Sequence, residues 1–178
     1  MDQAKVKRVF KEWILPFAIE ILVVFLLIKF VFFFATVPTG SMIPTINKGD
    51  WLFTLRMYNP EENIQRGDIL VFESDELGET LIKRVIGLPG DIISLDENGV
   101  VTVNGTVLDE PYVDELALGE CDIKFPYQVP ENRYFVLGDH RATSIDSRSS
   151  VIGCVEKNQI VGKVFIRVWP LSSFSLIH

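Results

Sequence analysis

Histidine and cysteine are nearly missing: His140 and His178 are the two histidines of the 178-residue chain, and Cys121 and Cys154 its two cysteines. That scarcity excludes the H-E-x-x-H zinc proteases, and cysteines so far apart offer no zinc site. No metal or other cofactor is expected. Also missing are a P-loop, a G-x-G-x-x-G turn and a G-x-S-x-G nucleophile elbow, so the common phosphate-binding loops and that hydrolase motif are ruled out. Beyond residue 12 there is no basic tract and no aromatic RNA-binding signature, so nucleic acid is not an expected partner. A hydrolase built on this chain must run on serine without a conventional histidine base, unless His140 serves. The obvious substitute base is a lysine in a β run.

What the chain does have is apolar length. With 48% hydrophobic and 23% charged residues, it suffices for one anchored domain of ordinary size. Residues 13–37 read WILPFAIEILVVFLLIKFVFFFATV, and a helix of that length, rising about 1.5 Å per residue, covers a hydrocarbon core of about 30 Å. Glu20 and Lys29 interrupt the run and are tolerated near the interfaces, where Lys29 can snorkel outward. A second placement ends the span near Ile28 and lays Phe30 to Phe34 along the outer interface. Lys5, Lys7, Arg8 and Lys11 outweigh Asp2 and Glu12, so residues 1–12 carry +2 of the net −7 and the remainder −9. The positive-inside rule then predicts a cytoplasmic segment 1–12, an anchor 13–37 and an extracytoplasmic domain 38–178. A cleaved signal peptide is the rival, but it needs a shorter apolar core and small residues flanking the cut, whereas Phe32, Phe33 and Phe34 precede Ala35. The cysteines lie in the outward part, as one disulfide or as two buried thiols.

Past the anchor, short β-type runs alternate with Gly, Asn, Asp and Pro. They predict strands at Trp51 to Arg56, Ile69 to Glu73, Glu79 to Ile86, Asp91 to Leu95, Val100 to Val103, Arg133 to Leu137 and Ile160 to Val168. Asn98-Gly99 and Asn104-Gly105 are hairpin dipeptides, and Pro89-Gly90 closes another run. No helical period appears beyond the anchor. The expected fold is mainly β: a mostly antiparallel, barrel-like domain behind one N-terminal transmembrane helix.

Two residues carry the candidate chemistry. Ser41 lies in Pro38-Thr39-Gly40-Ser41-Met42-Ile43-Pro44-Thr45, six residues past the apolar run that ends near Ala35. An extended chain covers at most about 3.3–3.6 Å per residue, so the hydroxyl stays within roughly 20 Å of the hydrocarbon. In Leu81-Ile82-Lys83-Arg84-Val85-Ile86, strand alternation puts Lys83 on the face of Leu81 and Val85. An ammonium among apolar groups loses its proton more readily, and a pKa near 8 would leave about a tenth neutral at pH 7. Such a lysine can deprotonate a serine hydroxyl. A lysine in a strand also serves simply as solvated edge protection.

Four ordered segments decide between those readings: Ser41-Met42-Ile43-Pro44-Thr45, then Arg66-Gly67-Asp68-Ile69-Leu70-Val71-Phe72, then Lys83-Arg84-Val85-Ile86-Gly87-Leu88-Pro89-Gly90-Asp91, and Gly138-Asp139-His140-Arg141 leading to Ser144-Ile145-Asp146-Ser147-Arg148. Together with the anchor and Asp109-Glu110-Pro111-Tyr112, they resemble the bacterial type I signal peptidases (leader peptidases), in a compact Gram-positive-like form. The resemblance implies Ser41 as the nucleophile and Lys83 as general base, with the Ser41 N–H and the Thr39 hydroxyl binding the oxyanion. It further implies Ser144 as a hydroxyl that orients the lysine, and Asp146 with Arg148 as a supporting ion pair that Arg84 could join. Met42 reads either as substrate-pocket lining or as core. The implied substrates are preprotein signal peptides, cut beside membrane lipid with the secretion machinery nearby.

The chain departs from the family pattern in places. His140 stands where the family commonly has Asn, and the short stretch from Lys83 to Gly138 leaves no room for a large additional β domain. Cys154 stands where the family often has proline or a small residue. Two other classes compete. A repressor-like Ser/Lys autoprotease needs an Ala-Gly or Cys-Gly bond upstream of the serine, and residues 1–40 contain neither. A silent anchored β module would have no use for an intact Ser41/Lys83 pair.

Overall fold

A computed structural model describes residues 10–58 and 64–177. The chain divides between Phe33 and Phe34 into two compact units. In the first, a π-helical turn at Phe10–Ile14 leads into helix α1, Leu15–Phe30, with Pro16 in its opening turn, where a missing N–H costs nothing. Together they form a 21-residue helix of mean hydropathy 2.3, long and apolar enough to cross a membrane, with none of it buried inside the protein. Lys29 lies in the last turn, its Nζ 5.3 Å from the Phe30 ring centre.

Against expected placements of 13–37 or an end near Ile28, the helix stops at Phe30, and Phe32–Thr36 form strand β1. Aromatic residues suit a pleated strand. The ladder continues into Val37, whose N–H donates to Asp50 O at 3.1 Å and whose carbonyl accepts the Gly49 N–H at 2.8 Å.

The remaining strands are β2 (Trp51–Arg56), β3 (Ile69–Ser74), β4 (Glu79–Gly87), β5 (Ile92–Leu95), β6 (Val101–Val103), β7 (Thr106–Val107), β8 (Tyr127–Gln128), β9 (Arg133–Leu137), β10 (Val155–Glu156), β11 (Ile160–Trp169) and β12 (Ser175–Leu176). Among the described residues they make an eight-stranded sheet in the order β1-β2-β11-β3-β4-β9-β10, with β12 beside β11, and a four-stranded sheet in the order β7-β6-β5-β8. The registered pairings are antiparallel. The mainly β expectation therefore holds, and the predicted long strands fall within a residue of the observed ones at each end. The short strands β7, β8, β10 and β12 were not predicted, because two residues carry no period.

Two apolar clusters hold the sheets. Ile86, Ile93, Val101, Phe135 and Cys154 belong to the first, against which Phe125 and Tyr127 pack, and Leu70, Phe72, Val85, Val136 and Ile160 belong to the second. Each such side chain contributes about 1.5–3 kcal/mol by leaving water. The cysteines are two free thiols; Cys154 is buried in the first cluster, and burial raises its pKa to about 11.

One detail of this topology builds the site. Strand β4 pairs with β3 along its length from Glu79 to Arg84, but β9 covers its other side only from Arg84 onward, because the chain leaves β9 after Leu137. Residues 79–83 therefore present a free edge among the described strands, and the loop beginning at Gly138 lies at the point where that edge starts.

Candidate active site

Lys83 lies where the free edge meets the covered half of β4. It is 3% exposed, faces Leu70 across the β3 pairing, and shares its strand face with Leu81 and Val85. Burial lowers its pKa from 10.5 to about 8; the Asp146 and Asp139 carboxylates pull it upward and Arg148 pushes it down. No carboxylate lies within ion-pair distance of its amine among the described residues. Its Nζ instead donates to Ser41 Oγ at 2.8 Å.

Ser41 opens the turn 41–45 and is half-buried, with Thr39 Oγ1 3.5 Å from its Oγ. No described group accepts the Ser41 N–H, while its carbonyl accepts the His140 N–H at 3.0 Å. A cleft of about 200 Å³ opens over this contact, bounded on one side by residues 35–39, Ser41 and Met42 and on the other by Val71 and residues 79–83. Met42 is 1% exposed and lines the cleft.

Ser144 sits differently from its expected role. Its Oγ is buried and makes no hydrogen bond among the described residues, so the expected link to Lys83 is not made. The hydroxyl lies against Gly138 instead, where an added Cβ would collide with Ser144 Oγ and come within 2.5 Å of Ser41 O. Only glycine permits that approach.

Asp146 and Arg148 form the expected pair, with Arg148 Nε and Nη2 each 2.8 Å from the carboxylate. Arg84, which the resemblance allowed to join them, forks instead onto Asp139 at 2.9 and 2.7 Å, with Thr45 Oγ1 donating to the same carboxylate at 2.5 Å. The reason is strand alternation: Arg84 points to the face opposite Lys83. A third fork joins Arg141 to Glu110 at 2.9 and 2.6 Å. Sequence reading did not assign Asp139, Arg141 or Glu110 to the site. A signal was available, since buried arginines each need a carboxylate and the motif segments contain these. The His140 ring contacts Thr143 Oγ1 at 3.0 Å and is not hydrogen-bonded to Ser41 or Lys83.

The site thus sets a buried amine against a serine hydroxyl, at a cleft beside a free strand edge. Residues 10–169 match the family described as signal peptidase, peptidase S26. A signal peptidase IB from Staphylococcus aureus (strain N315) is 32% identical, with 94% of each chain covered. A signal peptidase I from Bacillus caldolyticus is 39% identical, with 98% of each covered. The crystal structure of a signal peptidase I from Enterococcus faecalis V583 is 32% identical, covering 57% of this chain and 97% of that one, with a TM-score of 0.47. This chain belongs to the signal peptidase family, peptidase S26, and is an enzyme of that class.

Proposed function

We propose that the protein is a membrane-bound serine endopeptidase that removes N-terminal signal peptides from secreted preproteins through a Ser41/Lys83 dyad. The observation that carries this reading is the 2.8 Å contact between Ser41 Oγ and an amine whose pKa burial lowers to about 8. At pH 7 about a tenth of such an amine is neutral and free to accept the hydroxyl proton. Ser41 Oγ attacks the scissile carbonyl carbon as its proton passes to Lys83 Nζ. The oxyanion is stabilised by the Ser41 N–H and the Thr39 hydroxyl, each such donor contributing about 3–4 kcal/mol. Collapse breaks the C–N bond, the Lys83 ammonium protonates the leaving amine, and an acyl-enzyme ester remains on Ser41. Neutral Lys83 then takes a proton from water, the hydroxide attacks the ester, and the proton returns to Ser41 Oγ.

The substrate lies as an extended strand along residues 79–83 of β4, using main-chain hydrogen bonds that β9 leaves unmade. Side chains next to the scissile bond enter a cleft of about 200 Å³, which favours small residues. The apolar helix and the basic flank support a cytoplasmic N-terminus, a single membrane passage and an extracytoplasmic catalytic domain 38–178. On that domain Trp51 and Trp169, paired in register, and Leu171 and Phe174 are at least half exposed, as suits a surface resting on lipid headgroups near the secretion machinery. A signal peptide's apolar core occupies the bilayer, so its cleavage site emerges in the same shallow zone where the chain keeps Ser41.

Cleavage of a synthetic preprotein peptide by detergent-solubilised enzyme, from pH 6 to 10, tests the dyad. Wild type should gain activity through a midpoint near 8, and Ser41→Ala and Lys83→Ala should lose it. Full activity in Lys83→Ala would sink the proposal.

A further inference from the structure

Between β7 and β8 the chain runs for residues 108–126 with neither helix nor strand, an unusual length for a connection inside a compact domain. This strap is fastened to each arginine of the three forks. Tyr112 lays its ring 3.9 Å from Arg84 Cζ. Glu110 accepts both terminal nitrogens of Arg141. The carbonyls of Ala117 and Leu118 accept from Arg148 Nη1 at 3.3 and 2.6 Å. The Glu110 and Arg141 side chains are 4% and 0% exposed.

From Glu110 a continuous path leads to the candidate nucleophile. Tyr112 Oη donates to Glu110 Oε1 at 2.9 Å, and Arg141 Nε donates to Gly138 O at 3.1 Å. Gly138 abuts the Ser41 carbonyl, and two residues on, the His140 N–H holds that same carbonyl. None of the strap lines the cleft. We propose that Glu110 and Tyr112 are positioning residues: through Arg141 and the Gly138–His140 turn they hold the Ser41 backbone in the geometry that attack requires. The inference rests on Ser41 being the nucleophile. Misplacing a reacting group by about an ångström costs up to a hundredfold in rate, while the free edge of β4, which binds substrate, is left untouched. The expected signature is a fall in kcat with KM unchanged.

The test measures kcat and KM for the full-length enzyme in detergent, normalised to folded protein by circular dichroism, with Ser41→Ala alongside. Glu110→Gln should lower kcat by roughly tenfold to a hundredfold with KM within about twofold of wild type. Tyr112→Phe, which keeps the ring over Arg84, should lower kcat by a smaller factor. Glu110→Asp should recover part of the loss. Should Glu110→Gln not fold, the double variant Glu110→Gln/Arg141→Met, which strands no charge, decides by the same criterion. A lowered melting temperature with kcat intact overturns the proposal, as does a raised KM with kcat intact. Normal kcat in the strap variants beside an inactive Ser41→Ala overturns the strap's role alone, whereas an active Ser41→Ala overturns the dyad beneath it.

Discussion

Lys83 and Arg84 are consecutive in β4, 3% and 1% exposed, and the fold treats them in opposite ways. Arg84 forks onto Asp139, donates to the Gly67 carbonyl at 2.8 Å and stacks on Tyr112, so its charge is paired. Lys83, on the other face, is given a hydroxyl and no carboxylate, and burial lowers its pKa to about 8. Two neighbouring buried cations are thus set differently, one forked onto a carboxylate and the other against a hydroxyl. The same division runs along the strand: the half carrying Arg84 is covered by β9 and the half before it is open.

The sharpest way to break this comparison is Lys83→Met. Losing the proposed base should lower kcat by about a thousandfold or more. The variant should nevertheless be more stable than wild type at pH 7. The folded pKa lies below the unfolded value of 10.5, so the unfolded chain holds more protons between about 8 and 10.5 and wild-type stability rises with pH through that window. Below about pH 8 the penalty is complete, on the order of 3 kcal/mol at about 1.36 kcal/mol per unit. Melting curves at pH 7 and pH 10 should show the stabilisation of Lys83→Met shrinking as pH rises. A variant less stable than wild type at both would mean Lys83 is structural.

Arg84→Met should act in the opposite sense. Stranding the buried Asp139 carboxylate should cost about 3–5 kcal/mol in urea unfolding. Because Asp139 already pulls the Lys83 pKa upward, loss of its partner should move the activity midpoint to higher pH. An unshifted midpoint would separate the Arg84 pair from the Lys83 amine more completely than the structure does. The smallest effect is expected of His140→Asn: its ring reaches Thr143 rather than the dyad, so kcat should change by no more than about twofold. A large loss would revive a histidine base.

How much of this could be read beforehand differs from element to element. The long strands were legible, because alternation and Asn-Gly turns set their ends locally, and Lys83 was legible as an amine on an apolar face for the same reason. The end of α1 was not, since Phe32 to Thr36 are as apolar as the helix, and it is pairing beside β2 that makes them a strand. Nor were the partners of the buried arginines: Arg84 with Asp139 is a contact across 55 positions and Arg141 with Glu110 one across 31. Ser144 was expected to reach Lys83, and its hydroxyl lies against Gly138 instead.

By itself, then, the sequence determined the apolar helix, the β pattern, the short stretch of chain between that helix and Ser41, and the residue types available for chemistry, because each depends on hydrophobicity or on neighbours a few positions apart. The tertiary structure decided which cation stays paired and which is left to titrate, which edge of β4 remains open, and what holds the Ser41 backbone. Burial and pairing arise only when segments distant in the chain meet, and burial is what lowers the Lys83 pKa to about 8.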